Sequence, residues 1–114
     1  YVNFFVTHLS YDGEGGGSSR SKQFSEVASE LAKYDNFVLS GDFNTRNLDE
    51  YSVIKDSALV NTKEDPKVTY PGGRSPLDNL VYSSSTWSFS KINVVTESYS
   101  DHYMIYADGT FTKK

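Results

Sequence analysis

No cysteine occurs in these 114 residues, and methionine and tryptophan occur once each. The missing thiols exclude a disulfide framework and any thiolate metal site, and they leave the compartment open. No apolar run is long enough to span a bilayer, and there is neither an N-x-S/T acceptor nor a lipidation signal. Positive charge is short: 11 Lys and Arg face 15 Asp and Glu, for a net charge of −4. That balance excludes tight non-specific binding of nucleic acid by charge alone. A phosphate substrate stays open, because a divalent cation can supply positive charge locally. Proline is confined to Pro66, Pro71 and Pro76, which marks one stretch as loop.

What the chain does have is aromatic residues, nine Tyr and seven Phe, in a globular balance of 37% hydrophobic and 23% charged residues. This composition suits one β-rich domain, or part of one, with a single core. The chain opens at Tyr1 on a strand-like run with no leader, cap or Met, so it is expected to be cut from a longer protein.

Residues 1–9 predict a strand, and "YDGEGGGSSR" after it predicts a flexible connector, since it lacks the Gly-Lys-Ser/Thr ending of a phosphate-binding loop. Phe24, Val27, Ala28 and Leu31 recur at helical spacing within 20–34, with Ser18 or Ser19 available as cap and Lys33 near the end. "NFVLS" at 36–40 predicts a strand parallel to the first, completing a βαβ unit. A tight corner at Gly41-Asp42 is expected directly after it. A short helix follows from Asn47, then a loop over 64–76. Residues 77–83 and 87–95 read as an antiparallel hairpin, and "HYMIYAD" as the last strand.

Strand direction then gathers the polar motifs. The first strand ends at His8 and the parallel second strand at Asp42, so both tips lie on one sheet edge, where open α/β folds place ligands. If 77–83 runs antiparallel to these, Asp78 begins on that edge too, and Asp101-His102 returns to it. His8, Asp42, Asn44, Asp78, Asp101 and His102 are the candidate site residues. Carboxylates and an amide oxygen are hard ligands that suit Mg²⁺ or Mn²⁺. A carboxylate can orient water, and imidazoles can give protons or hydrogen bonds to a phosphoryl oxygen. Asp78 is the expected partner of His102, fixing its tautomer and favouring imidazolium.

"VTHLS", "LSGDFNT", "LDNLVYS" and "SDHYMIY" resemble, in order and spacing, the later motifs of the endonuclease/exonuclease/phosphatase superfamily, over residues 4–108. That group includes DNase I-like nucleases, apurinic endonucleases, sphingomyelinases and inositol polyphosphate phosphatases. The resemblance implies a DNase I-like four-layer α/β/β/α sandwich, of which 1–114 would be the C-terminal half: a mixed sheet with one covering helix. It implies metal-dependent hydrolysis of a phosphate ester by attack of water. Carried over by position, Asp42 orients the water, Asn44 holds phosphate or metal, and Asp101 is a metal ligand. His102, supported by Asp78, stabilises the pentavalent phosphate, and His8 contacts phosphate and the leaving oxygen. Asp42, Asn44 and Asp101 form the implied metal set. An Asn and a metal-binding Glu of the family's first motifs have no counterpart here, so these residues alone are expected to turn over little substrate.

Strands apolar on both faces, with a helix to cover only one, leave a face for the missing N-terminal half or for self-association. Implied substrates are a nucleic acid, a phospholipid headgroup or an inositol phosphate. Two competing functions are a catalytically silent binding or assembly module of the same fold, and a β-rich carbohydrate- or protein-binding domain. Arg20 and Gln23 read as a solvated helix face, Trp87 as core, and Tyr11, Tyr70 and Arg74 as loop residues bordering the site.

Overall fold

Apolar residues Phe37, Val38 and Leu39, all buried, lead into the strand around which the sheet is built. The computed structural model describes residues 2–10, 16–97 and 100–112. Strand β1 (Phe4–His8) lies parallel to β2 (Val38–Asp42), with Phe4 opposite Val38 and His8 opposite Asp42. Beyond them come β3 (Ser57–Leu59) and β4 (Asp78–Ser83), in the order β1-β2-β4-β3. β4 runs antiparallel to β2, and its first residue, Asp78, faces Asp42 across the ladder. The orientation required for one polar edge is therefore the one found.

Helix α1 (Gly16–Leu31) covers one face of this sheet. Phe24 and Leu31 are buried against Phe37, Leu39, Phe43 and Val81, with Val27 and Ala28 packed beside them. Phe24, Phe43 and Tyr51 form an aromatic knot with centroids 6.0, 5.1 and 4.8 Å apart. Burying each such ring stabilises the fold by about 1.5–3 kcal/mol. A 3₁₀ helix at Leu48–Val53 contributes Tyr51, and it is capped by Asn47, whose side chain accepts from the Asp49 N–H at 3.1 Å. Asn47 is the expected cap.

Several local expectations are corrected. The helix starts at Gly16, so the connector is shorter than 11–20, and Ser18 and Ser19 lie inside the first turn instead of capping it. Residues 11–15 of that connector, with Tyr11, lie outside the described residues, as do Tyr1 and Lys113-Lys114. Gly41-Asp42 is no corner, because β2 continues through it, paired with Thr7 and His8. Glycine is required there by close approach: a Cβ on Gly41 would sit 1.9 Å from the Thr7 carbonyl oxygen. The pause in the apolar pattern reflects a backbone contact, not a turn.

The expected hairpin of 77–83 with 87–95 does not form. The latter segment splits into β5 (Trp87–Phe89) and β6 (Asn93–Val95). β5 pairs antiparallel with β8 (Gly109–Phe111), and β6 with β7 (Met104–Tyr106). Ser90 marks the break, held by Asp108: its N–H donates to the Asp108 carbonyl at 2.8 Å, and its hydroxyl accepts from the Asp108 N–H at 2.9 Å. Trp87 is half-buried, packed on Phe4, Phe89 and Phe111. Ser57–Leu59 also pairs as a strand, which the sequence pattern does not announce.

The second face of the sheet is not fully covered. Phe4 is 65% and Val6 83% exposed, side by side on one face of β1. No helix of the described residues is long and apolar enough to cross a membrane.

Candidate active site

Three strand tips and one bend meet at the sheet edge. His8 ends β1 and Asp42 ends β2, while Asp78 begins β4. His102 lies in the bend just before β7. The His102 ring is held between the two carboxylates: Nδ1 is 2.6 Å from Asp78 Oδ2, and Nε2 is 3.3 Å from Asp42 Oδ2. His8 Nε2 lies 3.4 Å from the same Asp42 oxygen, on a far more exposed side chain. Two imidazoles thus flank one carboxylate oxygen.

Asn44 is bonded to the edge through Asp42 and Leu9. It adopts a left-handed backbone (φ 50°), which Asn tolerates better than most residues. Its N–H donates to Asp42 Oδ1 at 2.9 Å, and its side-chain nitrogen donates to the Leu9 carbonyl at 2.7 Å. Asp101 stands next to the group and is exposed.

Electrostatics follow from this crowding. Partial burial pushes the Asp42 carboxyl above its usual 3.8, and Asp78 pushes the same way; the Asn44 N–H and both imidazoles pull back without cancelling it. For His102, burial opposes the charged ring. The hydrogen bond that its Nδ1–H donates to Asp78, with the charges of Asp78, Asp42 and Asp101, outweighs it and lifts the pKa above 6.5. The ring therefore keeps its proton further toward neutral pH than a free imidazole.

The two carboxylates at the edge, Asp42 and Asp78, are oxygen donors of the kind a hard divalent cation takes. Asp42, Asp78 and His102 each offer one ligand atom, all within 4.8 Å of one another. This set overlaps the expected Asp42, Asn44 and Asp101 only at Asp42. Asn44 Oδ1 has no protein partner among the described residues, and Asp101 is not one of the close group.

Sequence reading missed Thr69. It is completely buried, its hydroxyl accepts from the Asp78 N–H at 3.0 Å, and its carbonyl accepts from the Tyr103 N–H at 2.8 Å. One loop residue thus ties Asp78 to the residue after His102. Asn61 and Asn79, both fully buried, bond each other, and Asn61 anchors the same loop at Lys67: its Nδ2 donates to the Lys67 carbonyl and its Oδ1 accepts from the Lys67 N–H. Tyr70, expected beside the site, lies with its ring 5.9 Å from His102. Arg74 is exposed. Arg20 is corrected outright: it is buried and bonds Glu50 through two nitrogens, at 2.9 and 2.8 Å. Gln23 is half-buried, and both ends of its amide bond Ser10.

No protein-family model and no curated protein matches the sequence. Solved structures do match. A mannosyl-6-phosphatase of Bacteroides thetaiotaomicron is similar at TM-score 0.67 and 19% identity, over 95% of this chain and 51% of that one. An endonuclease/exonuclease/phosphatase family protein from the same organism gives 0.70 at 17% identity, over 93% and 47%. TDP2 of D. rerio, solved with a single-strand DNA product, gives 0.70 at 17% identity, over 92% and 54%. At these identities the likeness establishes the fold, which is DNase I-like, α/β with a mixed sheet, and half of the sandwich. The chain spans about half the length of the structures it matches.

Proposed function

We propose that this chain, with the fold of half an endonuclease/exonuclease/phosphatase protein, carries the part of a phosphoesterase site that handles protons and orients water. Its substrate would be a phosphodiester or phosphomonoester. The observation that carries the reading is the His102 ring, bonded to Asp78 on one nitrogen and turned toward Asp42 with the other. Asp42 orients the attacking water as a carboxylate. His102 stays protonated through Asp78 and hydrogen-bonds a phosphoryl oxygen, stabilising the charge that builds there. His8, exposed and within 3.4 Å of Asp42, contacts phosphate and supplies a proton to the leaving oxygen. A Mg²⁺ or Mn²⁺ ion at this edge would be held by Asp42 and the side-chain oxygen of Asn44, with Asp101 as a further carboxylate once its side chain turns inward. That ion, when bound, neutralises phosphate charge and lowers the pKa of water.

The reading extends to a partner. The chain is the C-terminal half of its domain, and the apolar strip of Phe4 and Val6 is covered by the other half, or by a second copy where that half is absent. Among the similar structures, one is called a phosphatase and another holds a DNA product, so the panel of candidate substrates spans both classes. The test is hydrolysis of single-stranded DNA, sphingomyelin and a phosphoinositide with Mg²⁺ or Mn²⁺. The chain alone is compared with the chain joined to a complementary half. The joined protein is expected to turn over one class, to lose at least about 100-fold in rate in His102→Ala, and to stop with chelator. Full turnover in His102→Ala, or robust turnover by the 114 residues alone, would overturn it.

A further inference from the structure

We infer that Gln23, on α1, is a positioning residue for Asn44. It acts through the backbone of Leu9 and Ser10, and the inference rests on Asn44 belonging to the site proposed above. Ser10 is gripped at two points by one side chain: its N–H donates to Gln23 Oε1 at 2.9 Å, and Gln23 Nε2 donates to its hydroxyl at 3.0 Å. Arg20, fixed by its fork on Glu50, lies at 3.5 Å from the Ser10 carbonyl through Nη1. The helix thus holds the chain where β1 leaves the sheet.

The residue just before, Leu9, is the one that touches the site. Its N–H donates to the Asp42 carbonyl at 2.9 Å, and its own carbonyl takes the Asn44 side-chain nitrogen at 2.7 Å. This second bond decides which way round the amide sits. The two ends of a carboxamide are nearly identical in shape and opposite in hydrogen-bonding sense. Committing nitrogen to Leu9 leaves oxygen as the free end, and oxygen is the end a hard cation accepts. Without the Leu9 carbonyl in place, the amide flips at little cost and turns N–H groups toward the ligand. Gln23 sets the position of that carbonyl from the far side of the chain, as outer partners of metal ligands commonly do.

The test uses the isotope-labelled chain, with Mg²⁺ alone as probe, and reads the Asn44 side-chain amide by NMR. Gln23→Met keeps the size and removes both bonds. Gln23→Glu keeps both, because the carboxylate accepts from the Ser10 N–H while the Ser10 hydroxyl rotates to donate. In Gln23→Met the two Asn44 amide protons are expected to lose their separation and exchange faster, with Mg²⁺ affinity about 10-fold weaker. Gln23→Glu is expected to restore the wild-type signal. An Asn44 amide identical in wild type and Gln23→Met would overturn the inference. Should Gln23→Met fail to fold, Ser10→Ala decides: it deletes one of the two bonds, and an unmoved Asn44 signal is then the contrary result. If the amide responds to Gln23→Met while Mg²⁺ leaves the wild type untouched, the positioning stands and the place of Asn44 in a metal site falls.

Discussion

Asp78 and His102 stand 24 positions apart in the chain and 2.6 Å apart in space. Their pairing fixes the sign of a pH effect. The folded pKa of His102 lies above its ordinary 6.5, so the pair's contribution to stability is complete below pH 6.5 and fades as pH rises through the raised value. Asp42 acts with the same sign at lower pH: burial raises it above 3.8, so its ionisation costs stability as pH climbs. Replacing Asp78 with Asn removes the charge that favours imidazolium, and NMR titration of His102 should then give a lower pKa than in the wild type. An unchanged value would mean that Asp78 does not govern the ring. These residues were legible in the sequence, because polar groups at apolar strand ends stand out once strand direction is assigned. Thr69 was not, since its bonds join two segments across a loop and leave no trace in local spacing. Arg20 was misread because its partner, Glu50, lies 30 residues away.

At the scale of elements, the βαβ unit follows from hydrophobic period and direction, and the sheet confirms it in β1, α1 and β2. The pairing of the later strands does not follow. Short strands such as β5 and β6 hold three residues each, so their partners are chosen by tertiary packing and not by adjacency. Gly41 shows the same limit from the other side. It reads as a turn residue, yet its job is to let β2 lie against the Thr7 backbone. Because the obstacle is main chain and not a flexible side chain, Gly41→Ala is expected to destabilise by about 3 kcal/mol. Urea unfolding measures this, and a midpoint equal to wild type would contradict the close contact of β1 with β2.

For the whole molecule, motif order foretold the DNase I-like fold that the solved structures bear out at 17–19% identity. Phe4 and Val6 leave part of one sheet face uncovered, and the chain spans about half the length of those structures. Substrate choice is not legible in the described residues: 63–68, in the loop that leads to Thr69, are exposed. What the edge does specify is a place where hard ligands and two imidazoles converge. Stepwise addition of Mn²⁺ to the labelled chain tests this most directly, since the paramagnetic ion broadens only the signals near where it binds. The account predicts that His102, Asn44 and Asp42 broaden first, while Trp87 and the β5–β8 ladder stay sharp. Broadening that begins elsewhere, or none at the His102 ring at any Mn²⁺ concentration, would contradict it.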